Sequence, residues 1–146
     1  MMLIAAHVAC SLMSYAAFLV ASVSGVLFLM QERQLKHKQM GWVFHRLPAL
    51  HTLDRINMVA LGIGFALLSV GMLLGLIGSR QLLGRWWTGD PKELFTAVVW
   101  LSYCALWLVR LRATLRGRKV AMLSMVGFGM VLATFFGVRH WLPAWL

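Results

Sequence analysis

The chain has 146 residues, 61% of them hydrophobic, a mean hydropathy of +0.79 and a formal charge of +10. Soluble domains are ordinarily about half apolar, so this composition excludes one and points to a membrane protein. The charge does not imply a nucleic-acid partner, because the basic residues gather at the ends of apolar runs instead of forming one basic face.

The first apolar run covers residues 3–30. As a helix it extends roughly 42 Å at 1.5 Å per residue, longer than a hydrocarbon core of about 30 Å, so it is expected to tilt or project from the membrane. A signal-peptide core is only about 7–15 residues, and no small-residue cleavage site stands out, so the run reads as a retained helix. His7, Ser11, Ser14, Ala21, Ser22 and Gly25 fall on one helical face. In lipid, such a polar and small stripe should turn toward protein. Residues 31–55 form a basic connection of interfacial character, in which Trp42, Val43, Phe44, Leu47 and Leu50 mix with His45, Arg46 and His51. Pro48 breaks it, and Thr52 or Asp54 is placed to cap the next helix.

The second run, residues 56–78, spaces Asn57, Ala60, Gly64, Leu68, Gly71, Gly75 and Gly78 three and four apart. One face is therefore nearly bare backbone, suited to tight helix packing or to a large flat ligand. A short loop with paired indoles, Trp86 and Trp87, leads to Asp90-Pro91-Lys92-Glu93. Asp at the N-cap, Pro at the first helical position and Glu at the third make a strong helix start. The third span, residues 90–110, then puts Glu93, Trp100, Cys104 and Trp107 on one face. The fourth, residues 120–138, aligns Ser124, Gly127, Val131 and Thr134 and ends in Arg139-His140-Trp141, with Trp141 and Trp145 as interfacial anchors.

The expected fold is all-α: one transmembrane domain over residues 1–146, an integral membrane bundle of four helices. Arg33, Lys36, Lys38, Arg46, Arg55, Arg110, Arg112, Arg116, Arg118 and Lys119 lie on one side, against Arg80, Arg85, Lys92 and Arg139 on the other. Ten against four decides the positive-inside rule. Both termini and the tryptophan loop are expected outside, with the basic connections cytoplasmic and in contact with anionic membrane lipid.

Cys10 and Cys104 both fall within spans, and no Cys-x-x-Cys-His attachment site occurs, so the chain is not itself a c-type cytochrome. Nothing suggests an enzyme. The serines in span one have no nearby acid, there is no phosphate loop and no His-Glu-x-x-His, and none of the four acidic residues is expected inside a span, as proton-coupled transport would want. What remains is a coincidence of place. His7, Trp86, Trp87 and His140 share one side of the membrane by the charge bias. A flat aromatic shelf suits a porphyrin, and neutral imidazole is a common axial ligand to haem iron.

These residues also carry a resemblance. His7 with Ser14-Tyr15-Ala16-Ala17-Phe18, Leu47-Pro48-Ala49-Leu50, Gly64-Phe65-Ala66-Leu67-Leu68, Gly84 through Glu93, Arg116-Gly117-Arg118, and Gly127-Phe128 before Gly137-Val138 run in an order similar to the cytochrome c assembly protein family. That family includes CcsA, ResC and CcmC, and the chain looks closest to its HemX-like or YpjD-like branch. The resemblance covers nearly the whole chain but only the C-terminal portion of longer members. It implies a multi-pass protein of the bacterial plasma membrane, working in cytochrome c biogenesis, that binds or presents haem at the outer face. It further implies a membrane partner or oligomer completing the bundle. Trp87, Asp90, Pro91, Lys92 and Glu93 match the family's haem-holding motif, and Trp86 takes its usual aromatic place; Leu83 and Gly89 stand where fuller motifs carry tryptophan. The implied ligand set is His7 on the iron, matching the family's first flanking histidine, with His140 as a substitute for the second, which usually lies further beyond Gly137-Val138, and with Trp86, Trp87 and Asp90 around the haem. The alternative that HemX-like members permit is a haem-free membrane scaffold or regulatory subunit with a degenerate site.

Overall fold

A computed structural model describes residues 1–38, 41–46, 48–112 and 117–141, with Val43, Phe44 and residues 138–141 described in backbone only. Among these residues the only regular secondary structure is α-helix. The elements are α1 (Met2–Lys36), α2 (Trp42–Arg46), α3 (Leu50–Leu83), α4 (Pro91–Leu111) and α5 (Arg118–Trp141). Four of them, counting α5 as far as Gly137, are long and apolar enough to cross a membrane. At 35 and 34 residues, α1 and α3 run to roughly 50 Å each, so both carry polar turns beyond a hydrocarbon core.

The helices form a ring in which α1 packs on α3 and α5, and α4 packs on α5 and α3. Neighbours are antiparallel: Gly25 of α1 meets Ala121 of α5, while Phe18 stacks on Tyr103, which in turn touches Gly127 further along α5. The end of α5 therefore lies at the same end of the bundle as the start of α1.

The packing inverts the soluble pattern. Leu12, Met13, Val59, Ile63, Leu73 and Val126 face outward, while Ser14, Ser24, Asn57, Ser124 and Arg110 are buried. Lipid tails are as apolar as leucine, so interiors are chosen for close fit and hydrogen bonding instead. The small faces of α1 and α3 supply that fit. A Cβ on Gly64 would stand 2.6 Å from the Phe18 ring, and one on Gly25 would stand 3.0 Å from the Ala121 carbonyl oxygen. The stripe on α1 thus faces protein, and the bare face of α3 is filled by α1 side chains. Phe18 and Tyr103 stack at 3.7 Å with planes 10° apart, at the centre of the apolar core. The aromatic face of α4 packs on α3: Trp100 Nε1 donates to Ser69 Oγ at 2.9 Å, and Trp107 covers Gly62. Hydroxyls along the helices turn back on their own helix, as Ser11 does to the His7 carbonyl and Ser124 to the Val120 carbonyl.

Two expectations are corrected near the start of α3. The helix begins at Leu50 behind an N-cap at Ala49 with no side-chain cap, so neither Thr52 nor Asp54 caps it. Pro48 simply ends the preceding segment, and helix geometry resumes at once. Asp54 then falls inside the helix, where its carboxylate meets Arg110 of α4 at 3.0 Å. Arg110, counted among the basic residues of a connection, is 8% exposed. Its other terminal nitrogen donates to Asn57 Oδ1 at 3.2 Å. Asn57 Nδ2 donates in turn to the Ala21 carbonyl at 2.8 Å and to Ser124 Oγ at 3.1 Å. One polar network therefore ties all four long helices together near a single end of the bundle.

Candidate functional site

At the opposite end, α3 stops on a glycine. Gly84 adopts φ 69°, and its N–H donates to the Arg80 carbonyl at 3.0 Å, a left-handed cap that costs glycine nothing. The chain then crosses to α4, where the expected start is present in altered form. Asp90 is the N-cap, its carboxylate accepts from the Lys92 N–H at 3.0 Å, and Pro91 opens the helix. Glu93 does not reach back to the cap residue as in a capping box. It accepts from the Thr88 N–H at 3.0 Å and from the Thr88 hydroxyl at 2.6 Å. On the α3 side, Ser79 Oγ donates to the Arg85 carbonyl at 3.2 Å. The loop is thus pinned from both flanking helices, and the two indoles between the pins diverge.

Trp86 lies under the Arg80 guanidinium, 4.3 Å from its ring centroid, a cation–π contact. Trp87 instead lines a cavity of about 220 Å³ with His7, Met72, Gly75, Lys92, Glu93 and Thr96. Here the structure brings together two of the expected residues, His7 from α1 and Trp87 from the loop. Both indoles remain about half exposed, Trp86 at 53% and Trp87 at 48%. Asp90 does not line the cavity; its carboxylate is engaged as the helix cap. The side chain of His140 lies outside the described residues, although the α5 backbone carries that residue to the end of the bundle where His7 sits.

His7 is held in one orientation. Its Nδ1 is 2.6 Å from the Gly71 carbonyl oxygen. A carbonyl oxygen only accepts, so the bond requires the proton on Nδ1, and in the neutral ring that tautomer puts the lone pair on Nε2. Gly75 makes room for the ring, since a Cβ there would stand 2.9 Å from His7 Cε1. Gly71 and Gly75, read from the sequence as a packing pair, therefore orient and admit an imidazole. Met72 and Thr96 were not singled out from the sequence as site residues, and Lys92 only as part of the motif that the resemblance carries. A helical wheel on its own marks them as neighbours of Gly75 or of the cap, but only the crossing of α1 over α3 puts them around His7. Among the described residues, no three His, Cys, Asp or Glu side chains gather as a set of metal ligands. The chemistry on offer is one oriented imidazole nitrogen, a thioether, a flat indole wall, an ammonium, and the Glu93 carboxylate already engaged by Thr88.

Comparison with known proteins identifies the family of the chain. The family model described as "Cytochrome C assembly protein" matches residues 1–146. Similar curated proteins carry the name "Cytochrome c biogenesis protein CcsA". One from Thermosynechococcus vestitus is 39% identical over 94 residues, covering 64% of this chain and 30% of the relative. One from Prochlorococcus marinus subsp. pastoris is 32% identical over 152 residues, covering 91% and 48%. One from Guillardia theta is 28% identical over 148 residues, covering 91% and 49%. The chain thus spans at most about half the length of these relatives. No solved structure matches significantly. With the family model matching from end to end, the four apolar helices and the tryptophan loop are those of a member of the cytochrome c assembly protein family, to which this chain belongs.

Proposed function

We propose that this chain is a haem-handling membrane protein of cytochrome c biogenesis, which binds or presents haem at the outer face of a bacterial plasma membrane. The observation that carries the reading is the bond from His7 to the Gly71 carbonyl, in a cavity shared with Trp87. A metal-binding histidine ordinarily donates its other ring N–H to a carbonyl or carboxylate, which fixes the tautomer and orients the ring. His7 meets that condition before any metal arrives. Haem as cargo supplies an iron that accepts an imidazole nitrogen. His7 Nε2 is the proposed ligand, Trp87 the flat wall, and Lys92 the counter-charge for a carboxylate of the ligand. His140 is proposed as a second ligand, from the same end of the bundle. Trp86 and Asp90 hold the loop in shape.

The cavity's size bears on how haem is held. At about 220 Å³ it falls below the ~300–1,000 Å³ typical of ligand pockets. It admits an edge of a macrocycle and leaves the remainder to be covered from outside, by a membrane protein partner or another copy. Presentation to a second protein fits such a half-enclosed seat better than storage, and no bond-making step is assigned to the chain.

Haemin titrated into purified protein is expected to produce a Soret band. His7→Ala should abolish most of it and Trp87→Ala should weaken it, while Trp86→Ala, whose ring lies on Arg80 outside the cavity, should change it least. A colourless preparation from haem-replete cells that also fails to take up added haemin would sink the reading. Sidedness has its own test. Reporter fusions after Gly89 should score as outside and fusions at Gly117 as cytoplasmic; the reverse pattern would remove His7 from the outer face.

A haem-free scaffold or regulatory subunit, HemX-like, is the second reading, and the small cavity with Trp86 and Asp90 already engaged favours it. A stable complex with a membrane partner, isolated without haem and unable to take it up, would support that alternative.

A further inference from the structure

We propose that α1 and α5 form a seat for one anionic phospholipid, at the end of the bundle away from the tryptophan loop. A cavity of about 330 Å³ opens between these helices, rimmed by Glu32, Arg33, Lys36, His37 and Arg118, with Leu29 and Met122 as its apolar part. The Lys36 ammonium sits 3.2 Å from Glu32 and offsets that acid. Arg33 and Arg118 are left as the uncompensated cations of the rim; among the described residues neither has an ionic partner. Arg118 opens α5, whose first turn holds Arg118 and Lys119 and no acidic residue. Cations there oppose the helix dipole, so an anion between Arg33 and Arg118 relieves a repulsion that the protein itself leaves in place.

Spacing distinguishes a phospholipid from a free anion. Leu29 precedes Arg33 by four residues on α1, and Met122 follows Arg118 by four on α5. Because the helices are antiparallel, each arginine is rooted one turn, about 5.4 Å, nearer the end of the bundle than the apolar residue on its own helix. Two guanidinium groups at headgroup level bind a phosphate by charge-assisted hydrogen bonds, and the apolar pair one turn deeper receives an acyl chain. Basic pockets between membrane helices bind lipid headgroups in this manner. The seat does not depend on the haem reading.

The test uses the full chain in detergent, with native mass spectrometry of bound phosphatidylglycerol against phosphatidylcholine of identical acyl chains. Wild type should retain the anionic lipid preferentially. R33Q/R118Q should lower that preference roughly 25-fold, from about 1 kcal/mol for each basic residue near a headgroup at 1.4 kcal/mol per tenfold. Both arginines are exposed, so the variant should fold, which circular dichroism checks. The charge-matched R55Q/R85Q should keep the preference. Inorganic phosphate at millimolar concentration should not displace the lipid. Equal binding of the two lipids by wild type overturns the proposal, as does an unchanged preference in R33Q/R118Q. An equal loss in R55Q/R85Q would mean bulk electrostatics, and displacement by phosphate would mean a free-anion site; either result also overturns it.

Discussion

Asp54→Ala is expected to destabilise the bundle by about 3–5 kcal/mol, and Arg110→Met by distinctly less, although each breaks the same ion pair. The difference lies in the charge left behind. The Arg110 side chain is 6% exposed and the Asp54 side chain 32%. Without Asp54, a guanidinium remains buried with only the residue-54 carbonyl and Asn57 Oδ1 to accept from it, and its Nε already lacks a partner. Without Arg110, the carboxylate can still be hydrated from its exposed side, and the penalty falls mainly on Asn57 Oδ1. The double variant should be more stable than Asp54→Ala alone, because the buried charge is gone. Thermal or denaturant unfolding of the purified protein in a single detergent measures all three, and the double-mutant cycle isolates the coupling. Equal losses for the two single variants would mean that the network is hydrated and not the lock described.

Gly64→Ala and Gly78→Ala should move stability in opposite directions. Both glycines belong to the same three-and-four pattern on α3. A Cβ on Gly64 would enter the Phe18 ring at 2.6 Å, and Phe18 is stacked on Tyr103 and cannot swing aside freely. Overpacking of this kind costs about 1–3 kcal/mol. A Cβ on Gly78 would meet nothing within 4 Å, so alanine there should add about 0.5–1 kcal/mol through helix propensity. The same unfolding assay reads both. A stabilised Gly64→Ala protein would refute the close α1–α3 contact that also positions His7.

These expectations show where the sequence could be read and where it could not. Apolar runs of spanning length, the polar stripe on α1 and the start of α4 follow from local rules: bilayer thickness, a 3.6-residue period, and a cap whose partner lies two residues away. Each depends on neighbours within a turn or two along the chain, so each is visible in one dimension. Asp54 defeated the same logic. A carboxylate near a helix start reads as a cap, and its real partner stands 56 residues away on α4. Arg110 likewise reads as an edge charge until α3 brings a carboxylate and an amide against it. Trp86 and Trp87 are adjacent and chemically alike, and nothing in their order says that one will lie on Arg80 while the other faces His7.

The sequence by itself determined a membrane-embedded helical chain, the small faces on which its helices meet, and the candidate residues His7, Trp86, Trp87, Asp90 and His140. Tertiary structure decided which of these come together. Helix periodicity records which side of a helix is special, but not which neighbouring helix it meets or at what height. That height sets the Gly71 carbonyl 2.6 Å from His7 Nδ1 and leaves the other ring nitrogen outside that bond. It also carries Arg110 onto Asp54, so that a residue read as part of a loop becomes the tie between helices.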